Sequence, residues 1–285
     1  MKKFLISILI LFIILSCKKT EPVEEENPLL HTQFVLEYNF SYGTHPQQNM
    51  DIFIPRGNRD TMALVVLVHG GSWVSGDKSH FSQWFNWKKN EKRFAIININ
   101  YRLDTDMTRP LPMQTDDIHA AIESLRNQFH FPAKRIALIG ASAGGHLVSQ
   151  YAYKYDRGAY VKAVINFVGP VDFNDPEYHV PGGHWEWIFT GIEHIFNLPY
   201  DGNEYRYAEW SPYHHVSGQS APSILFYAGQ DTIVPYTQGV RLHEKLNRFS
   251  VDNEYYFYPQ SGHLFNSDDM QDALHKVDDF LERHL

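Results

Sequence analysis

IALIGASAGG, residues 136–145, is the stretch that decides how this chain is read. An apolar run stops abruptly at Ser142, which sits between Gly140 and Gly144 in the pattern G-x-S-x-G. Residues 135–139 have the apolar continuity of a short buried strand, and residues 146–155 read as a helix. A serine at such a strand-to-helix junction is held on a sharp, strained turn with its hydroxyl exposed. Glycine at 140 and 144 removes the side chains that would collide where the two elements nearly touch, and Ala141 and Ala143 keep the positions between them small. The helix N-terminus behind the turn offers free N–H groups and a positive dipole end to an anion.

The same five-residue pattern also occurs in ordinary tight turns, so its neighbours must give it meaning. Residues 63–68, 94–99, 161–168 and 223–228 are further apolar runs with the look of strands buried on both faces. Between and after them lie helical patterns at 113–129, with Ile118, Ala121, Ile122, Leu125 and Phe129 in phase, and at 236–247. Residues 254–258 suggest one more strand. A last helix is expected to start at Ser267, with Asp268 and Asp269 suited to its dipole and Ala273, Leu274, Val277, Phe280 and Leu281 as its buried stripe. Residues 34–41 and 50–54 alternate as antiparallel strands do. The fold class is therefore α/β: a mostly parallel central sheet with helices on both faces and antiparallel strands at one edge. Residues 174–221 break this rhythm, are rich in aromatics, and hold one short helical pattern near 187–195. They read as a cap inserted over the carboxyl edge of the sheet, where open α/β sheets bind ligands.

A serine hydroxyl becomes a useful nucleophile when a base takes its proton and a third group orients that base. Downstream of Ser142, residues 225–231 form an apolar run that delivers Asp231, and residues 256–263 run through a Gly262 turn into His263. Acid and histidine thus follow strands, in the order serine, acid, histidine. Asp172 is a second acid after a strand, whereas His275 and His284 fall within or at the end of the last helix. The oxyanion that develops during acyl transfer needs two preorganised donors. Ala143 would give one backbone N–H, and the glycine turn at 69–73, through Gly71 and Ser72, the other. Asp77 and Lys78 are read as shaping that loop, with no chemistry of their own.

HGGSWVSGDK at 69–78, NYRL at 100–103, GASAGG at 140–145, GQDTIVP at 229–235 and SGH at 261–263 together resemble the α/β-hydrolase superfamily. They are most similar to its esterase/lipase group with an HGG oxyanion loop, which includes bacterial feruloyl and acetyl-xylan esterases and kynurenine formamidase-like enzymes. The resemblance spans roughly residues 40–285. It implies an α/β-hydrolase fold, Ser142 as nucleophile, His263 as base, Asp231 as orienting acid, and Gly71, Ser72 and Ala143 around the oxyanion. Ser72 stands where many relatives of the hormone-sensitive-lipase type carry a third glycine.

With 43% hydrophobic and 20% charged residues the chain has ample core material. Its formal net charge of −8 becomes two units more negative once Lys2 and Lys3 are removed, which disfavours nucleic acid as a partner. Lys2 and Lys3 precede an apolar stretch at 4–15, too short for a membrane-spanning helix of about 20 residues and suited to a signal peptide. That stretch leads to a lipobox-like ILSC, so residues 1–16 read as a signal peptide and Cys17 as the lipidated first residue of the exported protein. Residues 17–33, with Glu-rich and Pro-containing sequence, read as a disordered tether, and residues 34–285 as the catalytic domain. The expected location is the outer membrane, tethered through lipid on Cys17.

Trp73, Trp185, Trp187 and Trp210 are candidate substrate contacts, since aromatic faces over a site can stack on sugar or phenolic rings. His179, His184 and His194 lack the accompanying ligands of a metal site, and neither metal nor cofactor is implied. The expected function is a serine ester hydrolase acting on small or carbohydrate-linked acyl esters, acetyl or feruloyl. A serine peptidase or amidase with the same residues, and a non-catalytic binding module on this scaffold, are the alternatives.

Overall fold

The computed structural model describes residues 34–103, 112–156 and 159–285. The readings made for residues 1–33, including Cys17, lie outside these. Eight strands form one sheet in the order β1-β2-β4-β3-β5-β6-β7-β8. They are β1 (Val35–Ser41), β2 (Asn49–Ile54), β3 (Leu64–Val68), β4 (Ala95–Ile99), β5 (Ile136–Ala141), β6 (Val161–Phe167), β7 (Ser223–Ala228) and β8 (Asn253–Tyr258). β2 runs antiparallel to both β1 and β4, and every other pairing is parallel. This is the expected α/β fold, antiparallel edge included.

The continuous apolar runs are explained by a core on each face. In β3, Leu64, Val66 and Val68 enter one core while Val65 and Leu67 enter the other, because successive side chains of a strand point to opposite faces. The first core is closed by α2 (Pro112–Gln128), α3 (Ala143–Gln150) and α7 (Thr237–Arg248), through Ile118, Ile122, Leu125, Leu147, Val148, Leu242 and Leu246. The second is closed by α1 (Ser82–Glu91) and α8 (Ser267–His284), through Trp84, Phe85, Ala273, Val277, Phe280 and Leu281.

Some elements differ from their sequence reading. α1 was not legible, because its buried residues Trp84, Phe85 and Lys88 leave no apolar repeat along a mostly polar SQWFNWKKNE. α8 is capped by Asn266 rather than Ser267: the Asn266 side chain accepts from Asp269 N at 2.9 Å. The cap over residues 174–221 is more helical than its composition suggests, with α4 (His184–Phe196), α5 (Glu204–Glu209) and α6 (Pro212–His215).

Strand order reverses between β3 and β5, whose neighbours lie on opposite sides, and Val68 is in register with Gly140. The carboxyl ends of these two strands therefore open the crevice in which α/β sheets bind ligands. The chain after β3 is tied back into the sheet. Lys78 Nζ meets Asp51 Oδ1 at 2.6 Å and Asn39 Oδ1 at 2.9 Å, and Lys78 N donates to Asn100 Oδ1 at 2.6 Å. Asp77 accepts from Ser79 N and Asn100 Nδ2. Both residues shape the loop, as read from sequence. Removing one partner of a buried ion pair leaves the other uncompensated. Lys78→Met is expected to lower unfolding free energy by about 3 kcal/mol, with part of it recovered in Asp51→Asn/Lys78→Met; urea denaturation checks both.

Candidate active site

Ser142 stands between β5 and α3 with φ 53° and ψ −123°. A non-glycine residue in the left-handed region is strained by about 1–3 kcal/mol, so the surroundings must hold it there. They do so by close approach. A Cβ on Gly140 would lie 2.2 Å from the Gly144 carbonyl oxygen, and one on Gly144 would lie 2.1 Å from the Val68 carbonyl oxygen. Ser142 N is meanwhile anchored to Phe167 O at 2.8 Å. The small residues at 143–145 let the helix start directly against the strands, so α3 begins at Ala143 and not at 146 as its apolar pattern suggests.

His263 Nε2 lies 3.0 Å from Ser142 Oγ, and His263 Nδ1 lies 2.8 Å from Asp231 Oδ2. The other Asp231 oxygen accepts from Ile233 N at 2.7 Å and Val234 N at 2.9 Å. A carboxylate only accepts, so the Nδ1 proton points at Asp231 and the Nε2 lone pair faces the serine hydroxyl. The Asp231 side chain is fully buried while that of His263 is 22% exposed, which leaves the imidazole reachable from solvent. Ser142 follows β5, Asp231 follows β7 and His263 follows β8, all on one edge of the sheet.

Asp172, the other candidate acid, is fully enclosed elsewhere. It pairs with Arg241 Nη2, accepts from His214 Nε2 at 3.2 Å, and its ionised form is favoured by those two partners against the opposing effect of burial. It fastens the chain entering the cap to α7. His284 meets Asp252 at 3.4 Å, and His275 lies on α8; neither contacts the serine.

The glycine turn after β3 lies against the nucleophile. A Cβ on Gly70 would come within 2.8 Å of the Ala141 carbonyl oxygen and 3.1 Å of Ser142 Cβ. Gly71, Ser72 and Trp73 all have positive φ, at 125°, 52° and 62°. The Gly71 carbonyl is turned away to accept Val74 N and Ser75 N, and among the described residues the Ser72 N–H has no protein acceptor. Ala143, first in α3, has no intrahelical acceptor for its N–H by virtue of its position. These are the donors that the sequence placed around an oxyanion. Gly70, which sequence reasoning passed over, makes the closest approach.

The strained turn is held from behind by His69 and His146. His69 stacks on Tyr101 at 4.3 Å, and its Nδ1 meets Gly70 O at 2.7 Å. His146 is wholly buried. Its Nδ1 takes the Trp73 indole N–H at 3.3 Å, so its Nε2 carries the proton given to Trp210 O at 2.7 Å. One neutral tautomer thereby joins the oxyanion turn, the nucleophile helix and the cap. Gln114 Nε2 holds the Trp73 carbonyl at 2.7 Å.

Two of the four candidate substrate tryptophans are corrected by this packing. Trp73 is 4% exposed and Trp210 9%, because both rings fill the first core with Phe196. Trp185 is half-buried and leans on the same core. Trp187 is 59% exposed. Among the described residues no group of three or more His, Cys, Asp or Glu is arranged to hold a metal ion.

An eight-stranded, mostly parallel sheet with serine, aspartate and histidine in that order after β5, β7 and β8 defines an α/β-hydrolase. The BD-FAE family model matches residues 50–246, and the chain belongs to that family. Among curated proteins it is 27% identical over 225 residues to acylamino-acid-releasing enzyme of Rattus norvegicus, covering 73% of this chain and 29% of that protein. It is 24% identical over 256 residues to a probable carboxylic ester hydrolase, LipM, of Mycobacterium tuberculosis, covering 83% of this chain and 58% of that one. The chain spans less than a third of the length of the acylamino-acid-releasing enzymes from rat, mouse, pig and human that it matches. Among solved structures, a truncated carbohydrate esterase from gut microbiota superposes with a TM-score of 0.73 at 20% identity, covering 89% of this chain and 98% of that one. An esterase of Thermogutta terrifontis with butyrate bound gives 0.66 at 20% identity, covering 88% and 94%.

Burial holds both His69 and His146 down to a pKa of about 4, against 6.5 for a free histidine. As pH falls below 6.5 the unfolded chain takes up protons that the folded chain refuses, so stability is lost between about pH 6.5 and 4. Each histidine contributes a slope of up to about 1.4 kcal/mol per pH unit. Denaturant titrations from pH 7.5 to 4.5 are expected to show this decline, and His146→Gln to show a shallower one.

Proposed function

We propose that the protein is a serine carboxylic ester hydrolase that works through an acyl-enzyme on small or carbohydrate-linked acyl esters. The observation that carries this reading is the hydrogen-bonded line from Asp231 through His263 to Ser142, at 2.8 and 3.0 Å. His263 Nε2 removes the hydroxyl proton as Ser142 Oγ attacks the ester carbonyl, while Asp231 stabilises the imidazolium that forms. The oxyanion is received by the N–H groups of Ala143 and of the turn at Gly71 and Ser72. Collapse passes the proton from His263 to the departing alcohol. Water, deprotonated by the same nitrogen, then releases the acid and frees Ser142.

Ester specificity is supported by the likeness to LipM, a probable carboxylic ester hydrolase, and to the esterases sharing the fold. A second reading, release of acylated amino acids, is favoured by the acylamino-acid-releasing relatives, of whose length this chain spans less than a third. Hydrolysis of p-nitrophenyl acetate and butyrate, methyl ferulate and acetylated xylan, set against N-acetylalanine p-nitroanilide, distinguishes the two. Ester turnover is expected to dominate and to vanish in Ser142→Ala; Asp231→Asn, which leaves His263 in the wrong tautomer, is expected to lose about 10⁴-fold in kcat. Ester turnover that survives Ser142→Ala would overturn the reading.

For the leader, the charged start, the short apolar stretch and ILSC at 14–17 support export, lipidation of Cys17 and tethering of the domain 34–285 at the outer membrane. Palmitate labelling of the full chain in a bacterial host is expected, with loss of label in Cys17→Ala; label retained in that variant refutes the anchor.

A further inference from the structure

The cap aromatics divide sharply. Phe189, Phe196, Tyr207 and Trp210 are buried against one another, whereas Trp187, in the first turn of α4, is 59% exposed. Its exposure is not that of a loose side chain. The Trp187 indole N–H donates to His184 Nδ1 at 3.2 Å, and His184 Nε2 lies 3.0 Å from Thr232 O. A carbonyl only accepts, so Nε2 carries the proton and Nδ1 is free to accept from the indole. One neutral histidine thus satisfies both bonds. The two rings meet edge to face, at 5.5 Å and 81°, which occupies the indole edge. Among the described residues no other ring pairs with Trp187.

The anchor point is next to the reaction. Thr232 follows Asp231 directly, so one histidine fixes the exposed indole to the loop that carries the triad acid. Ile233 on that loop is 39% exposed, and Leu264, the residue after His263, is 88% exposed. We propose that Trp187 is a stacking platform for a sugar ring on the leaving-group side of the Ser142 site. This inference rests on the ester-hydrolase reading given above.

Chemistry favours a sugar over a broad apolar partner. The indole N–H is already used, so the side chain offers a ring face and nothing else. Around it stand His184, Glu186 and Thr190, all exposed and polar. A pyranose matches that pattern, with a C–H face for the indole and hydroxyls for the polar rim. The openness also assigns the side. An acyl group ends within the site, whereas an alcohol belonging to a polysaccharide must run out into water, past a surface that is itself wet. Orientation by His184 lowers the conformational freedom lost on binding.

The test compares wild type, Trp187→Ala and Trp187→Phe on acetylated xylohexaose and on p-nitrophenyl acetate, which has no sugar. The ratio of kcat/KM for the oligosaccharide to that for the small ester is expected to fall about 10-fold in Trp187→Ala, equivalent to about 1.4 kcal/mol. Trp187→Phe, which keeps a ring, is expected to fall less. A ratio unchanged in Trp187→Ala overturns the platform. In parallel, calorimetry measures binding of unacetylated xylohexaose to Ser142→Ala and to Ser142→Ala/Trp187→Ala. Weaker binding by about 10-fold in the double variant supports the platform, and equal or no binding in both refutes it. If wild type hydrolyses no ester, the ester-hydrolase reading has failed, and the binding comparison alone decides the role of Trp187.

Discussion

The contact between the start of α3 and the end of β3 governs this molecule. Gly144 is packed so closely on the Val68 carbonyl that no side chain fits between them. This proximity bends the chain through Ser142 in the left-handed region and leaves the hydroxyl standing above the sheet. It also sets the nucleophile beside the turn that follows β3. A strained residue persists when its surroundings determine its conformation more strongly than its own preferences do. Here the surroundings are backbone atoms of three neighbouring strands: Val68, Gly140 and Phe167.

From that contact the remaining parts follow by geometry. The parallel register of β5 through β8 brings the chain after each strand to the same edge, so acid and base arrive where the serine stands. The cap is bound to this edge at polar points within an apolar interface: His214 with Asp172, and the Trp210 carbonyl with His146. Both involve groups whose unpaired burial would be costly, so the cap is seated in one position over the first core. A roof of this kind still leaves Trp187, Ile233 and Leu264 exposed to solvent.

Much of this was legible in the residues themselves. Buried strands announce themselves as unbroken apolar runs, and a triad spaced along strand ends survives as a pattern of sequence order. The helix α1 was missed because Trp84 and Phe85 are adjacent, giving no repeat, and because Lys88 is buried through an ion pair with Asp278 that no local pattern encodes. The Ser267 cap failed for a related reason: Asn266, one position earlier, satisfies the same N–H groups. The tryptophans failed differently. Trp73 and Trp210 are aromatic residues near a site, but whether a ring faces solvent or core depends on the fold of the whole cap. Composition does not carry that information, and partners such as His146 lie 73 and 64 positions away.

One consequence concerns how the protein comes to be active at all. Ser142 and His263 are separated by 121 positions, yet their side chains are a single hydrogen bond apart. No fragment ending before β8 holds a complete relay, and contacts between distant segments close late and slowly as a chain folds. The emergence of a reactive serine is therefore a clock for completion of the entire sheet. A newly made chain remains chemically silent until its last strand docks, and a copy clipped before β8 lacks the base that Ser142 needs.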